Sequence, residues 1–211
     1  MAPRKMPPDL YEFERTAYAM NDFSWICGAD EAGRGPLAGP VFAAAVILPP
    51  EADIPGLNDS KKLTPARREA LFGLITERAA AYGIASASVE EIEELNILHA
   101  AQLAMRRAVA ALGVRPGLLL IDGNYSDGFG LPERTIVKGD ALSASVAAAS
   151  ILAKVARDRL MTEYAKTYPL YGFEKHKGYP TAAHYDAIRA HGVTPIHRPG
   201  FLKKFYETDG K

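Results

Sequence analysis

Between Ala141 and Ala156, seven of sixteen residues are alanine, and Ile151, Leu152 and Val155 supply the larger side chains. Alanine combines the highest helix propensity with almost no bulk, so this stretch predicts a helix lying close against a sheet. Leu118-Leu119-Leu120-Ile121 is a strand-length run without polar alternation, which marks a strand covered on both faces. Together these two segments require a layered α/β architecture.

The other elements follow from local signals. Strand-length apolar runs over 24–29 and 41–48 flank a Gly/Pro-dense stretch over 33–40 and predict neighbouring antiparallel strands, with further strands over 84–89 and 134–137. Thr64-Pro65 supplies a cap and a first-turn proline for a helix that Gly83 can close. Ser88 and Glu91 have capping-box spacing for a helix ending at Gly113, with a break and a new cap at Asn96. A short helix is expected over 11–21. The order is three meander strands, then strands alternating with helices, then a helical C-terminal segment, which implies one mixed-sheet α/β domain.

Composition narrows the function classes. Apolar residues make up 48% of the 211 and charged residues 24%, and no run of about eighteen apolar residues appears, so membrane partners and coiled coils are not expected. Lys plus Arg equals Asp plus Glu at 25 each, so any affinity for polyanions must be local. Cys27, the single cysteine, excludes an internal disulfide framework and reads as core in an apolar strand. With no apolar secretory core in the first eight residues, a cytoplasmic location is expected.

Acidic residues stand where apolar strands stop. Asp30 and Glu31 follow the first strand, Asp122 follows residues 118–121, and Asp140 follows the strand ending near Val137. Sites in open α/β sheets gather beyond strand ends, and carboxylates brought together there repel unless protonated or neutralised by cations. Oxygen ligands favour Mg²⁺ or Mn²⁺, and two such ions roughly 3.5–4 Å apart suit phosphodiester hydrolysis. Any one of these residues could equally cap a turn; four at strand ends favour a metal site.

Gly33-Arg34-Gly35-Pro36-Leu37-Ala38 formally matches a dinucleotide fingerprint, but Pro36, Gly39 and Pro40 lead into a strand instead of the required helix. A bare turn beside Asp30 and Glu31 would instead let a substrate approach main-chain groups, with Arg34 available to a phosphate; a tight hairpin with a surface arginine is the plain alternative. Lys61 and Lys62, in Asn58-Asp59-Ser60-Lys61-Lys62, offer unspecific phosphate contacts. From Lys166 to Lys204, seven basic residues stand against two acids, with six aromatics and four of the five histidines interleaved. That segment suits a polyanion, or its aromatics anchor the C-terminal helices. The histidines lack HExxH spacing and cysteine partners, and Ser143, Ser145 and Ser150 lack a GxSxG elbow. A metal-dependent nuclease leads; a nucleotide-dependent dehydrogenase and a noncatalytic nucleic-acid-binding module are its rivals.

Residues 28–40, Gly28-Ala29-Asp30-Glu31-Ala32-Gly33-Arg34-Gly35-Pro36-Leu37-Ala38-Gly39-Pro40, closely resemble the signature of the ribonuclease HII family. Asn58-Asp59-Ser60-Lys61-Lys62-Leu63, Ile121-Asp122-Gly123, Val137-Lys138-Gly139-Asp140, the 147–155 block, Tyr171-Gly172-Phe173 and His176-Lys177-Gly178-Tyr179 also look like family blocks, together spanning roughly 24–200. The resemblance implies an RNase H-like fold with a mixed five-stranded sheet flanked by helices. Residues 1–23 would be an N-terminal extension, 24–160 the catalytic domain and 161–211 a helical segment packed on it. It further implies metal-dependent endonucleolytic cleavage of RNA in RNA–DNA hybrids and incision at ribonucleotides embedded in duplex DNA, leaving 5′-phosphate and 3′-hydroxyl ends. Asp30, Glu31, Asp122 and Asp140 would be the catalytic, metal-binding carboxylates for two Mg²⁺ or Mn²⁺ ions. Gly33, Arg34 and Gly35 would read the ribonucleotide and its phosphates, with Lys61 and Lys62 as further substrate contacts, and Tyr179 would place the RNA-to-DNA junction. Arg34 sets the chain apart from ribonuclease HIII. Pro180, where many relatives have glycine, restricts the Tyr179 backbone. A monomer is expected, and contact with a replication clamp is left open.

Overall fold

β1 (Ile26–Ala32), β2 (Val41–Ile47) and β3 (Ala81–Ala87) form the expected antiparallel meander, and β4 (Leu118–Asp122) and β5 (Glu133–Ile136) add in parallel beyond β1. The sheet order is β3-β2-β1-β4-β5, the mixed five-stranded sheet expected of the chain. The computed structural model describes residues 9–20 and 24–209; the expectations for 1–8 and 21–23 lie outside the described residues.

Both faces of the sheet are covered. α3 (Val89–Ala110) lies on one face through Ala100, Ala101, Ala104, Met105 and Ala108, which pack with Cys27, Ala29, Leu119 and Ile121. α4 (Ala144–Thr167) and α2 (Pro65–Arg78) cover the other, where Ala147, Ala148, Ile151 and Leu152 meet Ala44, Val46, Leu71 and Ile75. The alanines achieve the expected close approach. A Cβ at Gly28 of β1 would lie 2.2 Å from the Ser145 carbonyl carbon and the Val146 nitrogen, so helix backbone touches strand backbone here. α1 (Glu12–Met20) buries Glu14 at the head of α4, where its Oε1 accepts hydrogen bonds from Ser143 Oγ at 2.6 Å and the Ser145 amide at 2.8 Å.

The capping box of Ser88 and Glu91 is formed, and the break at Asn96 is real: φ is 65°, and its Oδ1 accepts from the Leu98 amide at 2.9 Å. Several boundaries differ from expectation. α2 ends at Arg78 instead of at Gly83, because β3 starts at Ala81, opposite Ile47 of β2, and takes Gly83 into the sheet. Gly83 serves packing there, since a Cβ would meet the Ala108 carbonyl oxygen of α3 at 2.1 Å. α4 starts three residues later than the expected stretch, after a 3-10 turn over Gly139–Ala141, and extends to Thr167.

α4 runs unbroken across residues 160 and 161, but its packing partners change. From Met161 onward the core joins Leu37 and Ala38 of the 33–40 turn to Tyr171, Phe173, Ile188 and Leu202 of the C-terminal segment, which holds α5 (Phe173–His176), α6 (Ala182–His191) and α7 (Lys203–Asp209). Tyr171 stacks on Phe173 with centroids 5.4 Å apart, and Tyr168 meets both edge-on. Most aromatics of the basic segment are therefore anchors of this second core, the plainer of the two sequence readings.

Candidate active site

Asp30 and Glu31 lie inside β1, not beyond it as expected. The strand stays paired to β2 through Ala32↔Phe42, whereas its pairing with β4 ends at Ala29↔Ile121. The two carboxylates thus occupy the stretch of β1 whose β4 side has opened. Gly28 pairs with Leu120, and Asp30 and Asp122 each stand two residues further along parallel strands, so both fall on the face covered by α4. Asp140 arrives from the 3-10 turn after β5. Its position is fixed by Asp122, whose Oδ1 accepts the Gly139 amide hydrogen bond at 2.7 Å.

The electrostatics record the crowding. Burial, then the charges of Glu31 and Asp122, push the Asp30 carboxyl well above its ordinary 3.8. Burial also raises Glu31, although Arg34, 3.3 Å from its Oε1, pulls the other way. Asp140 is raised by burial and then by the charges of Asp122 and Asp59. Lys61 reaches into the cluster, with its Nζ 3.7 Å from Asp140 Oδ2. Burial alone would lower the Lys61 ammonium, but the combined field of Asp140, Asp30, Asp59 and Asp122 outweighs it and raises it. Lys62 points elsewhere and pairs with Asp59 at 3.8 Å.

This donor set fits a hard divalent cation, being four carboxylates with no thiolate or imidazole among them. Among the described residues no three His, Cys, Asp or Glu side chains form a ready-made metal-binding group. Glu31 and Asp122 are half-buried beside buried Asp30 and Asp140, and the partly exposed pair suits an ion that keeps water and substrate among its ligands.

The turn over 33–40 is held from beneath by two arginines that sequence reasoning missed. Arg157 of α4 donates to the carbonyls of Pro40 at 3.2 Å, Ala38 at 3.0 Å and Lys177 at 3.0 Å. Arg198 donates to Gly33 at 2.8 Å, Arg34 at 3.1 Å, Pro36 at 2.9 Å and Gly39 at 2.8 Å. Both are fully buried. Burial works against the charge of both, lowering Arg157 and pulling Arg198 down to about 9, which still leaves Arg198 a cation at neutral pH. A signal for Arg157 did exist. Ala149, Ala153, Arg157 and Met161 repeat at four-residue spacing on the buried face of α4. Arg198 carried no such mark.

Gly33 has φ of +100°, and a Cβ there would sit 2.1 Å from Arg157 Nε, so its bareness admits the arginine. Gly35 is exposed and faces Tyr179, whose Cε1 would be 3.9 Å from a Cβ. Arg34 and Lys61 thus reach the carboxylates, and Tyr179 stands across from Gly35 of the turn. The Tyr179 ring is 38% exposed, with Lys154 Nζ 5.4 Å from its centroid, at the rim of a groove of about 660 Å³ that Arg68, Lys154, Arg159 and Lys177 help to line. Cys27 is buried, and burial pushes its thiol to about 12, as befits core.

A mixed sheet of this order, flanked by helices on both faces, defines an RNase H-like protein. The family model described as Ribonuclease HII matches residues 27–205, and the chain belongs to the ribonuclease HII family. It is 60% identical over 185 residues to Ribonuclease HII of Marinomonas sp. (strain MWYL1), covering 86% of this chain and 93% of that one. Among solved structures it is similar to the ribonuclease H2 of Pyrococcus horikoshii OT3, with a TM-score of 0.72, 28% identity, and coverage of 89% of this chain and 99% of that one. It is also similar to a chain of the PCNA:RNase HII complex from Archaeoglobus fulgidus, with a TM-score of 0.69, 25% identity, and coverage of 82% and 92%. Membership makes the protein an endonuclease that hydrolyses the RNA strand of RNA–DNA hybrids, in a family for which incision at ribonucleotides in DNA is typical.

Proposed function

We propose that Asp30, Glu31, Asp122 and Asp140 hold two divalent ions, Mg²⁺ or Mn²⁺, and that Gly33, Arg34, Gly35, Lys61, Lys62 and Tyr179 bind the nucleic acid around them. One observation carries this reading: β1 parts from β4 where Asp30 and Asp122 fall on one face, and the Asp122 bond to Gly139 brings Asp140 beside them. When bound, the ions neutralise the carboxylates, activate water toward the phosphodiester and stabilise the departing oxygen. The chain's own groups do the rest. Exposed Gly35 offers main-chain groups to the ribose, whose 2′-hydroxyl alone separates RNA from DNA. Arg34 and Lys61 each sit beside a site carboxylate and are free to turn from it to a phosphate when ions take over its neutralisation. Tyr179 packs its ring on the deoxyribose beyond the ribonucleotide.

Residues 24–160 are taken as the catalytic unit and 161–211 as the segment that supplies Tyr179 and Arg198, in a monomeric, cytoplasmic enzyme. The dehydrogenase reading loses its support, because the chain after Gly35 enters the Ala38↔His197 bridge and then β2, not a helix. The test is incubation with a DNA duplex carrying one ribonucleotide, with Mg²⁺, Mn²⁺ or a chelator. Incision at the ribonucleotide only with metal is expected; bound but intact duplex would leave a noncatalytic binding module.

A further inference from the structure

Three histidines surround the main chain at Tyr179, and none touches the carboxylates. His184 and His197 are 0% and 3% exposed, and their Nε2 atoms are 3.1 Å apart. Backbone amides only donate and carbonyls only accept, which fixes where each ring carries its proton. The Thr194 amide donates to His197 Nδ1 at 2.9 Å, so the His197 proton is on Nε2. That proton points at His184 Nε2, which must accept it, leaving the His184 proton on Nδ1. His184 Nδ1 in turn lies 3.0 Å from the Tyr179 carbonyl oxygen, a pure acceptor. His176 obeys the same logic: the Gly178 amide donates to its Nδ1 at 3.2 Å, and its Nε2 donates to the Tyr171 carbonyl at 2.7 Å.

One assignment satisfies every backbone contact with a single proton on each ring, and the Thr194 hydroxyl, 2.9 Å from His197 Nδ1, can add a second donor there. An added proton would set N–H against N–H at Thr194–His197 or His197–His184. Burial accordingly lowers His184 and His197 to about 4. The rings are also packed in place, His176 stacked on His184 at 4.4 Å and Phe173 edge-on to His184 at 5.5 Å. Tyr179 needs such an anchor. Its ring is exposed, and Pro180 brings no N–H, so the nearest following amide on its carbonyl is Thr181 at 2.9 Å, a three-residue turn.

We propose that the chain Thr194 N–H to His197 to His184 to the Tyr179 carbonyl is a neutral hydrogen-bond relay that sets the Tyr179 main chain, making His184 and His197 positioning residues for selecting lone ribonucleotides. This rests on the junction role of Tyr179 proposed above. The side-chain amide of asparagine reaches the imidazole Nδ1 position, where its nitrogen can donate, and that of glutamine reaches the Nε2 position, where its oxygen can accept. His184→Asn can therefore keep the donor to Tyr179, whereas His184→Gln keeps only the partner for His197.

The full chain is examined by nitrogen NMR of the histidines at neutral pH, and the two variants by melting temperature and by their rates on a duplex with one ribonucleotide and on a continuous RNA–DNA hybrid, beside Tyr179→Ala. The relay predicts Nδ1–H at His184 and Nε2–H at His176 and His197. It further predicts that His184→Gln shifts the ratio of the two rates toward the hybrid by about 2- to 10-fold, the worth of a neutral hydrogen bond, while His184→Asn stays nearer the parent. An Nε2–H tautomer at His184 overturns the relay, even if the glutamine variant fails to fold. A parental ratio in folded His184→Gln, where Tyr179→Ala shifts it, overturns the positioning role. An unchanged ratio in Tyr179→Ala removes the junction reading instead, and the tautomers then decide the relay alone.

Discussion

Asp122 Oδ1 accepts the Gly139 amide hydrogen bond at 2.7 Å, tying the end of β4 to the turn that carries Asp140. The bond spans 17 residues and joins the strand through which Asp122 neighbours β1 to an excursion outside the sheet. Two acidic residues distant in sequence are thereby held at one edge with Asp30, against their repulsion.

Replacing Asp122 with Asn keeps an oxygen for the Gly139 amide but removes the charge. Asp122→Asn and Asp30→Asn should each lower the rate on a ribonucleotide-containing duplex by about 100-fold or more, with no fall in melting temperature. A folded variant that cuts near the parental rate would remove that carboxylate from the site.

The crowded carboxylates also predict a pH dependence for the metal-free protein. Burial, with the charges of Glu31 and Asp122, raises Asp30 above 3.8, and burial with Asp122 raises Asp140. The folded chain therefore holds these protons more tightly than the unfolded chain. Their stabilising contribution is full below about pH 4 and is lost as pH rises through the raised values. Asp30→Asn should raise the melting temperature by roughly 2–4 °C at about pH 7.5 and by less at about pH 4, measured in chelator. His184 and His197, lowered to about 4, act in the opposite sense, losing stability as pH falls from 6.5, but they are common to both proteins and cancel in the difference. An equal gain at both pH values would trace the effect to packing.

Tyr179→Ala should reduce cleavage at a lone ribonucleotide more than on a continuous hybrid, because only the former needs the junction recognised. Tyr179→Phe should lie between the parent and the alanine variant. Equal losses on both substrates with a lower melting temperature would make Tyr179 an anchor of the C-terminal segment.

Arg198→Met leaves four carbonyls of the 33–40 turn without their donor, those of Gly33, Arg34, Pro36 and Gly39. A loss of about 3 kcal/mol or more in unfolding free energy is expected, together with faster amide exchange across the turn. Unchanged exchange would show that Arg157 suffices to hold it.

Elements dictated by local chemistry were legible in the sequence. The Ser88 and Glu91 capping box, the Asn96 break and the close approach of the alanine helix each follow from residues within a few positions of one another. Boundaries settled by partners were not. Gly83 carries a helix-stop signal, but pairing of Ala81 with Ile47 recruits it into β3, and pairing with β2 draws Asp30 and Glu31 inside β1. The carboxylates could be picked out because each follows an apolar run in the sequence. Arg157 and Arg198 could not be recognised as props of the glycine turn, because the turn carbonyls they bind lie more than a hundred residues away in sequence.

If ions held by the four carboxylates direct water at the phosphodiester, the ends produced from a duplex with one ribonucleotide report it. Attack by water leaves a 5′-phosphate and a 3′-hydroxyl, formed with Mg²⁺ or Mn²⁺ and suppressed by chelator, and that is the result expected. A 2′,3′-cyclic phosphate would show the neighbouring 2′-hydroxyl to be the nucleophile, and cleavage that persists in chelator would show the ions to be dispensable; either would contradict the metal site.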